Sequence, residues 1–268
     1  MSRRRWLIPL AALAIAIVPA LASTAASAST PSSRALAVQT GGTAQHVIKP
    51  GTAALGARSG LRNETSSTNW SGYAADSGTY TSVSASWVQP VGTCTSATRY
   101  SSFWVGLDGY SSDSVEQDGT DTDCVNGKPQ YYGWYETYPN PSFSFGSTVE
   151  PGDTMNASVV YEGSNQFKLT LADATRGWST STTQTVSGAA RSSAEVIIEA
   201  PCCTNSGGIL PLADFGTVHL SNSVVDGSPI GDLSPVQIYM TDSTGKTRDT
   251  VSSLSSEENF SATWVRAN

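Results

Sequence analysis

The chain has 268 residues, with 15 Lys+Arg against 22 Asp+Glu and a formal net charge of −7. An acidic surface of this kind argues against nucleic acid as a partner. Only 14% of residues are charged and only two are histidines, so ion-pair networks and imidazole chemistry both have little material to work with.

The first 28 residues read as a secretory signal peptide. Arg3, Arg4 and Arg5 form a basic start, an apolar run follows from Trp6 to Ala22, and Ala26-Ser27-Ala28 is a small-residue cleavage site. A membrane anchor is the other reading of this run. Its marginal length and the prolines at 9 and 19 weigh against that. After signal removal the protein is expected to be secreted and extracellular, with no membrane association. Residues 29–64 are Ala, Ser, Thr and Gly with Arg34, Lys49, Arg58 and Arg62, and they lack aromatics. Such a segment cannot bury enough apolar surface to offset its ordering entropy, and it reads as a pro-segment or a disordered leader. Seven of the basic residues and only Glu64 of the acidic ones precede Thr65, so residues 65–268 hold 8 basic and 21 acidic groups, a net charge of −13. A basic leader complements an acidic body, which suits an inhibitory pro-segment. A plain spacer explains the composition equally well.

Residues 65–268 are expected to form one β-rich domain, a length ample for a hydrophobic core. Short alternating runs recur at Tyr80–Val88, Tyr100–Leu107, Gln130–Tyr138, Met155–Tyr161, Phe167–Leu171, Ala194–Glu199, Phe215–Leu220, Val236–Met240 and Phe260–Val265. Alternation with β-branched and aromatic residues predicts half-buried strands. Turn chemistry falls between them, as in Glu150-Pro151-Gly152-Asp153 and Glu162-Gly163-Ser164-Asn165. The class is all-β, an antiparallel sandwich or barrel. The four cysteines, 94, 124, 202 and 203, point to disulfides in an exported chain. Three pairings are possible. The first choice is Cys94–Cys124 with a vicinal Cys202–Cys203 bond, which needs no bridge between distant segments. Their spacing lacks a zinc pattern, and no metal or cofactor is expected.

A Ser-His-Asp or Cys-His arrangement needs an imidazole near the nucleophile. His46 lies in the leader, and His219 sits in the alternating run 215–220 as an outward strand residue. Asp76-Ser77-Gly78 matches the aspartic-protease signature only as a tripeptide without a second copy, and reads as a turn. Carboxylate chemistry remains. Glu195 and Glu199 are four apart on one strand and share a face with Ile197. Either that face is an apolar concave site, or it is solvated while Val196 and Ile198 enter the core. A carboxylate and a carboxamide on neighbouring strands would suffice to activate a water and hold an oxyanion without a metal, serine, cysteine or histidine.

Six motifs occur in order: Asn69-Trp70-Ser71-Gly72-Tyr73, Phe103-Trp104-Val105-Gly106-Leu107-Asp108-Gly109, Gln117-Asp118-Gly119-Thr120-Asp121, Trp134-Tyr135-Glu136-Thr137-Tyr138-Pro139, Ala194-Glu195-Val196-Ile197-Ile198-Glu199 and Leu212-Ala213-Asp214-Phe215-Gly216-Thr217-Val218. Together they resemble the glutamic peptidases, or eqolisins, known best as fungal acid proteases. The resemblance implies a β-sandwich of two bent antiparallel sheets with a concave substrate groove. It places the catalytic pair on Gln117 and Glu199, supporting positions on Trp104, Asp108, Asp121 and Glu136, and the base of a mobile loop on Tyr138. Polypeptides are the implied substrates, and a monomer is expected. Three positions depart from the family pattern: Val196 stands for a tryptophan, Ala200 for an acidic residue, and Tyr132 for an aspartate.

By this resemblance Glu199 is the general base on a water and Gln117 holds the oxyanion. A glutamate, with an unperturbed pKa near ~4.3, suits an acid medium where an imidazole is protonated. Two other functions fit the composition. A β-sandwich glycoside hydrolase would use Glu136 with Glu199 beside aromatic platforms. A carbohydrate-binding module would stack sugars on Trp70, Trp87, Trp104, Trp134 and Tyr138.

Overall fold

A computed structural model describes residues 63–201 and 208–268. The signal peptide, the leader up to residue 62, and the proposed Cys202–Cys203 pair lie outside the described residues. The described chain holds sixteen strands. They are β1 (Glu64–Ser67), β2 (Trp70–Ala75), β3 (Ser82–Val88), β4 (Ser102–Leu107), β5 (Val115–Val125), β6 (Lys128–Tyr138), β7 (Phe143–Ser144) and β8 (Thr154–Gly163). There follow β9 (Gln166–Asp173), β10 (Trp178–Thr185), β11 (Ala194–Glu199), β12 (Thr217–Val225), β13 (Ser228–Pro229), β14 (Val236–Met240), β15 (Asp249–Val251) and β16 (Phe260–Trp264).

Two sheets form a sandwich. The first runs β1-β14-β2-β11-β4-β5-β6-β7, and the second β10-β9-β8-β3-β12-β16-β15 with β13 on β12. All named pairings are antiparallel except β1 with β14. The facing sides close over one apolar core that includes Phe103, Val105, Leu107, Val196 and Ile198 from the first sheet and Trp87, Met155, Phe167, Leu169 and Leu171 from the second. Each such large side chain contributes roughly 1.5–3 kcal/mol by burial. Cys94 and Cys124 form a disulfide that ties the end of β5 to the segment after β3.

The nine strands expected from alternation are present, with ends shifted by a few residues; β11 and β14 keep their expected bounds. The longest strands differ most. β5, with sequence VEQDGTDTDCV, carries too little apolar alternation to read as a strand, yet it pairs along its whole length with β6. The expectation of half-buried strands holds for β3, β8 and β9, where buried and less buried positions alternate. It fails for β4 and β11, which are buried at every position, as is β2, a strand the alternation did not mark. The first sheet has a second covered face, with its own cluster of Trp70, Ala74, Trp104, Val115, Trp134, Ile197, Val236 and Ile238. That face carries the site.

Candidate active site

Register places the side chains of this second face in three rows across β2, β11, β4, β5 and β6. One row is Trp70, Glu199, Ser102, Asp121 and Tyr132. The next is Gly72, Ile197, Trp104, Gly119 and Trp134, and the third is Ala74, Glu195, Gly106, Gln117 and Glu136. Facing residues of antiparallel strands project to the same side. Gln117 and Glu199 therefore share a face, and both are fully buried. The sequence expectation of neighbouring strands needs correction. β4 lies between β11 and β5, so the two residues are two strand positions and two rows apart.

Trp104, in the middle row, spans the gap. Its indole N–H donates to Glu199 Oε2 at 2.9 Å. Its ring lies over Gly106, where an added Cβ would stand 2.9 Å from Trp104 Cζ3 and 3.3 Å from Gln117 Cβ. Gly119 clears the other side: a Cβ there would fall 2.7 Å from Trp104 Cβ and 2.1 Å from the Phe103 carbonyl oxygen. Absent side chains at these two glycines make room for the tryptophan between the two polar residues.

Each oxygen of Glu199 is oriented. Asn69 Nδ2 donates to Oε1 at 3.2 Å, opposite the Trp104 contact on Oε2. Asn69 is itself fixed, because Ser67 Oγ donates to its Oδ1 at 3.1 Å and the Ala200 N–H donates to its carbonyl at 2.8 Å. With Oδ1 occupied by a donor, the amide nitrogen must face the glutamate. Gln117 is oriented the same way: Nε2 donates to Glu136 Oε2 at 2.7 Å. That bond uses one of the two amide hydrogens, and the second remains to donate.

Asp121 accepts from the Trp134 indole at 2.6 Å and contacts the Tyr132 hydroxyl at 2.8 Å. The same hydroxyl lies 2.7 Å from Asp123 Oδ2. Burial and the two aspartates push the Tyr132 hydroxyl well above the usual tyrosine range. Tyr132 thus bridges Asp121 and Asp123 through its hydroxyl. Tyr138 ends β6 opposite Val115 and packs against the tryptophan cluster.

Asp108 is a pillar beside this face. It adopts φ 69°, a left-handed conformation that aspartate tolerates better than most residues. Its carboxylate accepts from the backbone of Arg191 at 2.6 Å and of Ser192 at 2.9 Å, and from Ser112 Oγ at 3.0 Å. The loop after β4 is thereby tied to the one that delivers β11. Glu195 accepts from the Tyr110 N–H at 3.3 Å; burial, helped by Asp108 and Glu116, pushes its carboxyl well above the usual range. Of the two readings of β11, each was half right. Val196 and Ile198 do enter the core, and Glu195 and Glu199 are buried as well, with no exposed surface.

The model of the peptidase A4 family matches residues 68–264, most of the chain. The chain belongs to that family. The crystal structure of scytalido-glutamic peptidase with a transition state analog inhibitor is similar at 26% identity and a TM-score of 0.66, over 74% of this chain and 98% of that one. The aspergilloglutamic peptidase from Aspergillus niger matches at 26% identity and 0.55, over 62% and 99%. SCP-B, an eqolisin in complex with the tripeptide Ala-Ile-His, shares the fold at 23% identity and a TM-score of 0.61, over 74% and 98%. No curated protein sequence matches the chain.

In this family member the sequence singles out Gln117, Glu199, Trp104, Asp108, Asp121, Glu136 and Tyr138. Register brings all of them except Asp108 onto one face, with Asp108 at its border. It did not assign Asn69, although that residue opens the first motif. An asparagine directly before a buried strand was the available signal, but its partner lies 130 residues away. The phenol between Asp121 and Asp123 was legible only as a departure at Tyr132.

Proposed function

We propose that this family member is a secreted, acid-active endopeptidase in which Glu199 and Gln117 hydrolyse peptide bonds through an activated water. The observation that carries the reading is the paired orientation of the two residues. Glu199 is held by Asn69 and Trp104, and Gln117 is held by Glu136, all on one buried face. A carboxylate fixed at both oxygens keeps lone pairs directed for a water. A carboxamide fixed by one hydrogen aims its other at a developing oxyanion, and it keeps that hydrogen at any pH.

In this mechanism Glu199 takes a proton from water as the water oxygen bonds to the scissile carbonyl carbon. The carbonyl electrons move onto the oxygen, which accepts from Gln117. Collapse of the tetrahedral adduct breaks the C–N bond, and Glu199 returns its proton to the leaving nitrogen. Removing an oxyanion donor of this kind costs about 10²–10³ in kcat. The acid-active part of the reading rests on the glutamate base, and the secreted part on residues 1–28. The test is hydrolysis of a denatured protein at acidic pH by the parent chain, Glu199→Ala and Gln117→Ala. The parent cleaves, and both variants fold but lose almost all activity. Wild-type rates in either variant overturn the assignment.

One contact weighs against the glycosidase alternative: Glu136 accepts from the Gln117 amide, which suits a supporting residue better than a free acid or base.

A further inference from the structure

Ser102 is the immediate cross-strand neighbour of Glu199, and on its other side stands Asp121. It is completely buried, and its hydroxyl has no hydrogen-bond partner in the protein. Both flanking carboxyl groups have donors of their own: Trp104 and Asn69 on Glu199, Trp134 and Tyr132 on Asp121. Directly opposed residues in an antiparallel pair place their Cβ atoms about 4.5–5.5 Å apart. Opposed at that spacing and not bonded to each other, the serine hydroxyl and the glutamate carboxylate are placed where one water can bridge them.

A buried hydroxyl left unpaired destabilises the fold, and an alanine would fill the same place without that cost. The alternation of β4 makes the contrast sharper. Phe103, Val105 and Leu107 point into the apolar core, while Ser102 and Trp104 share the site face. Unpaired buried groups on that face also include Gln117 Oε1, Glu195 Oε2 and Trp70 Nε1. Open polar atoms collected beside the paired catalytic residues are what a surface requires when its partners arrive with substrate and water.

We infer that Ser102 is a third catalytic residue, whose hydroxyl oxygen holds the water that Glu199 deprotonates. The inference rests on the peptidase reading above. The water gives one hydrogen to Glu199 and its second to Ser102 Oγ, which accepts it as a hydrogen bond. One lone pair then faces the scissile carbonyl carbon. As the new C–O bond forms, the first hydrogen passes to Glu199 and later to the leaving nitrogen. The second stays on the new hydroxyl, still held by Ser102. Ser102 itself neither gains nor loses a proton.

The full-length chain, pre-incubated at acidic pH, is assayed on a denatured protein as parent, Ser102→Ala, Ser102→Thr and Glu199→Gln, with Tm measured for each. Ser102→Ala is expected to lower kcat roughly tenfold with KM within about twofold, a loss on the scale of one positioning hydrogen bond. Its Tm stays equal to the parent or rises, because an unpaired polar group has been removed. Ser102→Thr, which keeps the hydroxyl, recovers most of kcat. A Ser102→Ala kcat within twofold of the parent, a change confined to KM, or a Tm that falls along with activity overturns the role. The two claims separate in this assay. If Glu199→Gln is inactive and Ser102→Ala is unimpaired, the water-holding role fails and the Glu199 assignment stands. If Glu199→Gln cleaves like the parent, both fail.

Discussion

The fold itself should be an acid-stable object that loosens toward neutrality. Two carboxyl groups away from the proposed catalytic pair fix the argument. Glu116 faces the core side of β5, and burial, with Asp108 nearby, pushes its carboxyl up from 4.5 to about 8. Asp249 accepts a hydrogen bond from Ser71, and its burial outweighs the attraction of Arg248, pushing it from 3.8 to about 7. Asp118 is raised too, by burial between the sheets, which outweighs the opposing pull of the Thr170 and Ser158 backbone. A group with a raised folded pKa binds its proton more tightly in the folded than in the unfolded chain. The stabilisation is complete below about pH 4, declines as pH rises, and is gone above about pH 8. At 1.36 kcal/mol per pH unit, Glu116 alone contributes a swing of about 5 kcal/mol and Asp249 about 4 kcal/mol. These are upper limits, because an ionised carboxylate draws in water. Even half the sum is comparable with the whole stability of a typical domain, about 5–15 kcal/mol. Asp153 and Asp226 run the other way. Their folded values are lowered, so what they contribute is lost only as pH falls below the ordinary aspartate range. The measurement is thermal unfolding by circular dichroism at pH 4, 6 and 8 on the parent and Glu116→Gln. At about 2–4 °C per kcal/mol for a domain of this size, the parent Tm should drop by 10 °C or more between pH 4 and 8. Glu116→Gln should match the parent at pH 4 and exceed it at pH 8. A parent Tm that is flat or rising over this range refutes the reasoning.

Two further outcomes test the framework around the site. Asp108→Ala strands the part-buried N–H groups of Arg191 and Ser192 and should cost about 1–3 kcal/mol, read as a fall in urea midpoint; Asp108→Asn, which tolerates the same positive φ, should recover part of it. Replacing both Cys94 and Cys124 with serine opens a loop of 30-residue separation and should lower stability by about 2–4 kcal/mol. Because Cys124 lies at the far end of β5 from Gln117, kcat at low temperature should be nearly unchanged.

The sequence by itself determined the class and the family, and it singled out the two residues proposed to react. Alternation at β3, β8 and β9 is a direct consequence of one face meeting the core. The motifs around Trp104, Gln117, Glu136 and Glu199 were legible because each combines a strand with a polar residue that such a strand would not otherwise carry. The Cys94–Cys124 bridge, chosen for its short span, is present. Tertiary structure alone decided the rest. β5 is a strand only because β4 and β6 supply its hydrogen bonds on both sides; its own acids and glycine give no such signal. The second covered face of the first sheet is a property of layers, which a pattern read along one strand cannot report. The insertion of β4 between β11 and β5 set the spacing of Gln117 and Glu199, and long-range pairing put Ser102 beside Glu199 across 97 residues of chain. Periodicity fixes which way a side chain points. Only register fixes what it meets.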